Sequence, residues 1–252
     1  MKAYLELQAS WGITRHLGGL KATRELMELC NIDKDEYVLD VGCGVGATPC
    51  YLAKKQRCKV VGIDVSATMI DLSKERAKRE GVEDKVEFRV ADAQDLPFDD
   101  YTFDSVVAEA VIVFTGDKRR AIGECARVVK PGGHVGLNEP TWIKTDPPAE
   151  LIEYYLRITG ARLETSNDWE GLLKGAGLRD IVTRTHKLSI TDKFDELSQY
   201  SLMDKLRYSY RFLSAVIKSP DFRGYAKEAS RVPKNVLKFA EYLGYGLYVG
   251  RK

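Results

Sequence analysis

At 252 residues the chain is long for one minimal domain and short for two, so one α/β domain with elaborations is the expected organisation. Its 39 basic and 37 acidic residues leave a net charge of +2, which makes a nucleic-acid partner an unfavoured reading. Five cysteines without a paired zinc spacing, no apolar signal segment and no run near the ~20 apolar residues of a membrane span point to a cytoplasmic protein with reduced thiols and no metal site.

Residues 1–36 read as a helical cap, interrupted at His16-Leu17-Gly18-Gly19 and resumed by an amphipathic helix from Leu20 to Cys30. Strand one is Tyr37 to Val41, followed by a glycine turn and a helix from Thr48 to Gln56. Strand two is Lys59 to Asp64. Ser66 starts the next helix and Gly81 stops it. Strand three is Val86 to Val90 and strand four is Phe103 to Ala108. A helix from Lys118 to Val129 leads through Pro131-Gly132-Gly133, read as a reversal, into strand five, His134 to Asn138. Trp169 to Ala176 is a further helix, Leu178 to Leu188 a sixth strand and Gly246 to Gly250 a short last strand. Segments 140–167 and 191–243 fall outside the βα alternation and read as helical insertions. The alternation predicts a mostly parallel sheet with helices on both faces.

The most informative stretch is Val38-Leu39-Asp40-Val41-Gly42-Cys43-Gly44-Val45-Gly46, followed by Gly62-Ile63-Asp64. Glycines permit positive φ and let a ligand approach the backbone after a strand. A carboxylate about 20 residues later, at the end of the second strand, can reach ribose hydroxyls. The glycine spacing is one residue tighter than the dinucleotide fingerprint, which argues against a nicotinamide oxidoreductase. Taken alone, each of Asp40, Asp64 and Asp92 could merely cap a turn.

Later segments narrow the reading. They are Ala91-Asp92-Ala93-Gln94-Asp95-Leu96-Pro97-Phe98, Phe103-Asp104-Ser105-Val106-Val107 and Glu124-Cys125-Ala126-Arg127-Val128-Val129-Lys130-Pro131-Gly132-Gly133. With the glycine turn they resemble the class I S-adenosylmethionine-dependent methyltransferases, in the small-molecule branch that includes ubiquinone- and menaquinone-biosynthesis-type enzymes. The resemblance covers residues 37–139. It implies a Rossmann-like α/β fold, with a seven-stranded sheet whose last strand is antiparallel and a helical cap and lid in one domain.

It also implies roles for particular residues. The backbone of Gly42, Cys43, Gly44 and Gly46 would lie against the cofactor, and Asp40 would organise the turn or meet its amino group. Asp64 would accept the ribose hydroxyls, and Asp92 the adenine amine beside Ala93. Val65 and Met69 would flank the adenine, and Glu109 would lie at the reactive end. The implied activity moves a methyl group to an O, N or C atom of a small or lipid-like acceptor. The competing readings are a non-catalytic S-adenosylmethionine-binding scaffold or sensor, and an RNA or protein methyltransferase.

The acceptor side is less legible. Methyl transfer mainly requires alignment and exclusion of water, with a base only where the acceptor must lose a proton. His16 and Glu139 are the candidate catalytic groups, and a surface His or a strand-end carboxylate is the plain alternative for each. Tyr4, Trp11, Tyr200 and Tyr208 are candidate lid residues, with ordinary helix packing as the competing reading. Asp104, His134 and His186 read as structural. Neither the acceptor nor the oligomeric state can be read from the chain. If His16 is a base, His16→Ala should lower turnover far more than cofactor affinity. Undiminished kcat at saturating substrate would remove it from that role.

Overall fold

The computed structural model describes residues 17–187, 209–210, 214, 217, 219–233 and 239–252. In chain order the elements are α1 (Gly19–Leu29), β1 (Tyr37–Val41), α2 (Ala47–Lys55), β2 (Lys59–Asp64), α3 (Ala67–Glu80), β3 (Val86–Val90) and β4 (Phe103–Glu109). A 3-10 turn (Ile112–Phe114), α4 (Lys118–Val128), β5 (Val129–Trp142), α5 (Ala149–Thr159), β6 (Glu164–Thr165) and α6 (Ser166–Gly175) follow. The last elements are β7 (Arg179–Lys187), α7 (Pro220–Ser230), α8 (Phe239–Tyr242) and β8 (Leu243–Arg251).

The sheet runs in the order β3-β2-β1-β4-β5-β8-β7, with the two-residue β6 alongside β5. Strands β1 to β5 pair in parallel, and β8 is antiparallel to both β5 and β7. This is the expected Rossmann-like α/β sheet, seven strands along its path with β6 as an eighth, and it has a mostly parallel core, an antiparallel last strand and flanking helices. Strand order reverses outward from β1 and β4, so the carboxyl ends of β1, β2, β4 and β5 share one edge, where open α/β sheets take ligands.

Strong local signals set the helix boundaries. Ser66 caps α3, its hydroxyl accepting the Met69 N–H at 3.3 Å, and Gly81 closes the helix with φ 66°. Thr165 and Asp168 form a capping box at the start of α6.

Successive residues of β5 divide the core. Val135 and Leu137 join the cluster beneath α4 and α6, with Ile122, Trp169 and Tyr248. On the opposite face lies a second cluster, in which Leu26, Met27 and Cys30 of α1 meet Val38, Val107 and Leu247.

Three boundaries differ from expectation. Pro131-Gly132-Gly133 lies within β5 rather than forming a reversal, because Gly132 donates to the Lys252 carbonyl and Lys252 donates to that of Gly133. A register shift between Phe103 and Ser105 absorbs the irregularity. At its other end β5 runs on to Trp142, whose partner Leu243 begins β8 well before Gly246. The short β6 carried no periodic signal of its own.

Within the two insertions, α5 forms close to where residues 150–158 were expected to be helical. It meets α7 through the Tyr154 hydroxyl, which donates to the Ala229 carbonyl at 2.9 Å, and Arg157, which donates to that of Arg231 at 2.9 Å. His16, Tyr4, Trp11, Tyr200 and Tyr208 lie outside the described residues.

Gly136 marks the closest approach of α1 to the sheet, since a Cβ there would overlap Cys30 Sγ and crowd Leu26. Gly136→Ala is expected to destabilise the protein by about 1–3 kcal/mol through overpacking. Urea denaturation at neutral pH checks this, and an unchanged midpoint would show that α1 can shift freely.

Candidate functional site

The glycine turn leaves β1 at Gly42, whose φ is 71°. A Cβ at that position would overlap the side chain of Val111, so both the backbone angle and the space require glycine. The turn is tied to the end of β2. Cys43 donates its N–H to the Ile63 carbonyl at 2.8 Å, and Gly44 donates to Asp64 Oδ2 at 3.1 Å. Asp64 Oδ1 accepts from the Ser66 N–H at 2.9 Å. Ala91, at the end of β3, donates to the Asp64 carbonyl at 3.1 Å, which brings Asp92 and Ala93 beside this corner. Asp64 is half-buried, Val65 is 60% exposed, and Met69 and Ala93 are buried. Asp92 is exposed and holds its own turn, accepting the Gln94 N–H at 2.9 Å.

Asp40 and Glu109 lie deeper. Burial pushes the Asp40 carboxyl well above the usual carboxylate range, and the charges of Glu109 and Asp64 push it further in the same direction. Asp64 is raised too, chiefly by burial, with the Ser66 and Gly44 amides opposing the shift. Glu109 is well supported. The Thr23 hydroxyl lies 2.9 Å from its Oε2, the Thr48 hydroxyl donates to Oε1 at 2.8 Å, and Asn138 Nδ2 donates to Oε2 at 3.2 Å. Asn138 Nδ2 also donates to the Leu17 carbonyl at 3.1 Å, tying the cap to this edge. Thr23, Thr48 and Asn138 were not singled out in the sequence. Only Thr48 carried a signal, its place in the helical turn that follows Gly46.

Glu139, the other candidate catalytic group, is fully buried, and its carboxylate is taken up by backbone amides. Its Oε1 accepts from the Val111 and Ile112 N–H groups at 3.1 and 2.7 Å, and Oε2 accepts from Val113 at 3.3 Å. Burial raises its carboxyl to about 8, against the opposing pull of those three amides and of Lys118.

The residues read as structural have structural contacts. Asp104 accepts from the Tyr37 N–H and from Lys130 Nζ. His134 sits toward the amino-terminal end of β5, paired in register with Arg251, away from the ligand edge. His186 stacks on Tyr245 and approaches Glu25 at 3.2 Å. No group of three or more His, Cys, Asp or Glu among the described residues is arranged to hold a metal.

A buried, acid-lined corner beside a glycine turn, at the carboxyl edge of a parallel sheet, defines a cofactor-binding class of α/β domain. Residues 39–137, which carry the glycine turn and strands β2 to β4 with most of β1 and β5, match the family model described as a methyltransferase domain. The chain is 34% identical over 163 residues to Methyltransferase GfsG of Streptomyces halstedii, covering 64% of this chain and 59% of that protein. It is 33% identical over 197 residues to Phosphoethanolamine N-methyltransferase 1 of Arabidopsis thaliana, covering 78% and 39%. The chain thus spans less than two thirds of either relative's length. A solved structure of a putative sarcosine dimethylglycine methyltransferase from Galdieria sulphuraria superposes with a TM-score of 0.74 at 17% identity, over 100% of this chain and 98% of that one. At that identity the likeness establishes the shared fold alone.

Glu139 should leave a signature in stability. With its carboxyl at about 8 in the fold against an ordinary 4.5, the folded state keeps a proton that the unfolded state releases. Its contribution to stability is full below the ordinary value and is lost as pH rises toward 8. Asp40 and Asp64 add the same sign. Urea denaturation between pH 5 and about pH 8.5 should show falling stability, with a shallower slope in Glu139→Gln. Equal slopes would show that Glu139 is ionised throughout.

Proposed function

We propose that this chain is an S-adenosylmethionine-dependent methyltransferase that moves a methyl group to an oxygen, nitrogen or carbon of a small or lipid-like acceptor. The observation that carries the proposal is the buried acidic corner. Asp40 has Glu109 and Asp64 as its charged neighbours, so a ligand bearing positive charge relieves a cost that the empty fold retains. S-adenosylmethionine carries an ammonium and a sulfonium, and its adenosine needs the glycine backbone and the strand-end carboxylates.

When bound, the cofactor supplies a methyl carbon that an acceptor lone pair attacks, while the carbon–sulfur bond breaks and its electrons stay on sulfur. The chain's own residues bind and orient. Asp40 favours the ammonium, the Gly42 to Gly46 backbone admits close approach, and Asp64 keeps lone pairs for ribose hydroxyls. Asp92 and Ala93 serve the adenine edge, with Val65 and Met69 against its faces. His16 is the candidate base. We assign the cap and lid of the same domain to residues 1–36 and to the insertions within 140–167 and 191–243; the candidate lid residues Tyr4, Trp11, Tyr200 and Tyr208 lie outside the described residues.

A small amine or alcohol is the favoured acceptor class, because curated relatives include phosphoethanolamine N-methyltransferases. A quinone-precursor ring is the lipid-like alternative. Five buried, unpaired thiols support a reducing cytoplasmic setting, and no helix among the described residues is long and apolar enough to cross a membrane.

Calorimetry with S-adenosylhomocysteine tests the cofactor, and mass detection of a +14 product across a panel of amines, alcohols and phenols tests the acceptor. Asp64→Ala is expected to weaken binding at least about tenfold, or roughly 1.4 kcal/mol. Unchanged affinity in that variant would overturn the ribose assignment, and no binding to the wild type would overturn the function.

A further inference from the structure

Glu139 sits one residue beyond the ligand-edge Asn138, yet it spends its carboxylate on the backbone that follows β4. We propose that Glu139 is a positioning residue whose hold on the amides of residues 111–113 seats Val111 against Gly42 and keeps the glycine turn in its cofactor-binding shape. The inference rests on the reading above that this turn binds S-adenosylmethionine.

Two features of the segment show that it needs an external hold. Ala110 adopts φ 55°, a left-handed conformation that costs a residue with a Cβ roughly 1 kcal/mol or more. Its N–H donates to the Asn138 carbonyl at 2.7 Å. The chain then presents three consecutive N–H groups at the start of a single 3-10 turn, where no intrahelical acceptor exists. Glu139 takes all three. The first belongs to Val111, whose side chain occupies the space that a Cβ on Gly42 would need. Gly42 leads to Gly44 and its bond to Asp64, so the hold passes from β5 to the ribose corner within a few residues.

The link is sensitive to charge. An ionised carboxylate accepts at both oxygens, whereas a proton on Oε2 would face the Val113 N–H as a second donor. The carboxyl sits at about 8, so this change falls near neutrality. Lys118 at the start of α4 favours ionisation and is itself paired with Glu164 at 3.2 Å. Tyr248 on β8 and Cys125 on α4 are the other titratable groups that feel Glu139, and burial raises both. Ile112, Val113 and Phe114 carry no titratable side chain.

The test is the affinity for S-adenosylhomocysteine from pH ~6.5 to ~9 in wild type, Glu139→Gln and Val111→Ala, with a thermal melt at each pH to confirm folding. The wild type is expected to bind about threefold more tightly above the Glu139 transition than below it. Glu139→Gln should lose that step and stay near the weaker level. Val111→Ala should bind more weakly and lose most of the step although Glu139 is intact, and it decides the question if the Gln variant does not fold. A merely structural carboxylate would lower the melting temperature and leave the pH profile in place. A wild-type step retained in Glu139→Gln, or unchanged affinity in Val111→Ala, overturns this inference alone. Failure of the wild type to bind at every pH overturns the functional reading and this inference with it.

Discussion

Val111 and the Gly42 backbone occupy adjoining space with no room for one more carbon between them. Each side of that contact is held from elsewhere. The glycine turn is drawn onto β2 by the Cys43 and Gly44 amides, and Val111 is held from β5 by Glu139. Four strand ends are thereby fixed to one another by short polar contacts at one edge of the sheet. Parallel strands make this arrangement available, because they bring their carboxyl ends to the same side. Among the described residues the edge is tied together by contacts between strand ends, with Thr23 and Leu17 adding support from the amino-terminal segment.

The edge is built largely from buried acids, which is costly unless each is satisfied. The solutions differ. Glu109 is surrounded by two threonine hydroxyls and an asparagine amide, Asp64 by backbone N–H groups, and Glu139 by three amides. Asp40 is the exception, with acidic groups as its charged neighbours. Burial first, and these neighbours second, raise the Asp40 carboxyl beside the glycine turn.

The parts of this site that rest on backbone chemistry were legible in the chain. A turn needing positive φ is written as Gly42, and a strand-end hydrogen-bond acceptor as Asp64, because few other residue types serve. The backbone partners of Glu139 were not legible, because a carboxylate at a strand's rim looks the same whether it faces ligand or interior. The period of two along β5 held the missing signal. Val135, Leu137 and Glu139 share a face, and the first two belong to the core beneath α4 and α6. Thr23 could not have been found this way, since it meets Glu109 across 86 residues of chain. The length of β5 was hidden for another reason. Pro-Gly-Gly reads as a turn, and it does bulge, with Gly132 at φ 85°, while its pairing with Lys252 keeps it within the strand.

Helix α1 joins the cap to this edge, and it does so through side chains whose identity matters. Thr23 reaches Glu109, Asn138 reaches the Leu17 carbonyl, and Gly136 admits Cys30. The contacts between α5 and α7 are of another kind. Tyr154 and Arg157 donate to the backbone carbonyls of Ala229 and Arg231, which any residue at those positions would supply. The edge thus depends on the identity of Thr23, Glu109, Asn138 and Gly136, whereas α5 and α7 meet through two backbone carbonyls and an Arg157–Glu228 ion pair at 3.7 Å. The carbonyls of Ala229 and Arg231 place little demand on the side chains at those positions, whereas the contact between Gly42 and Val111 leaves no room for one more carbon.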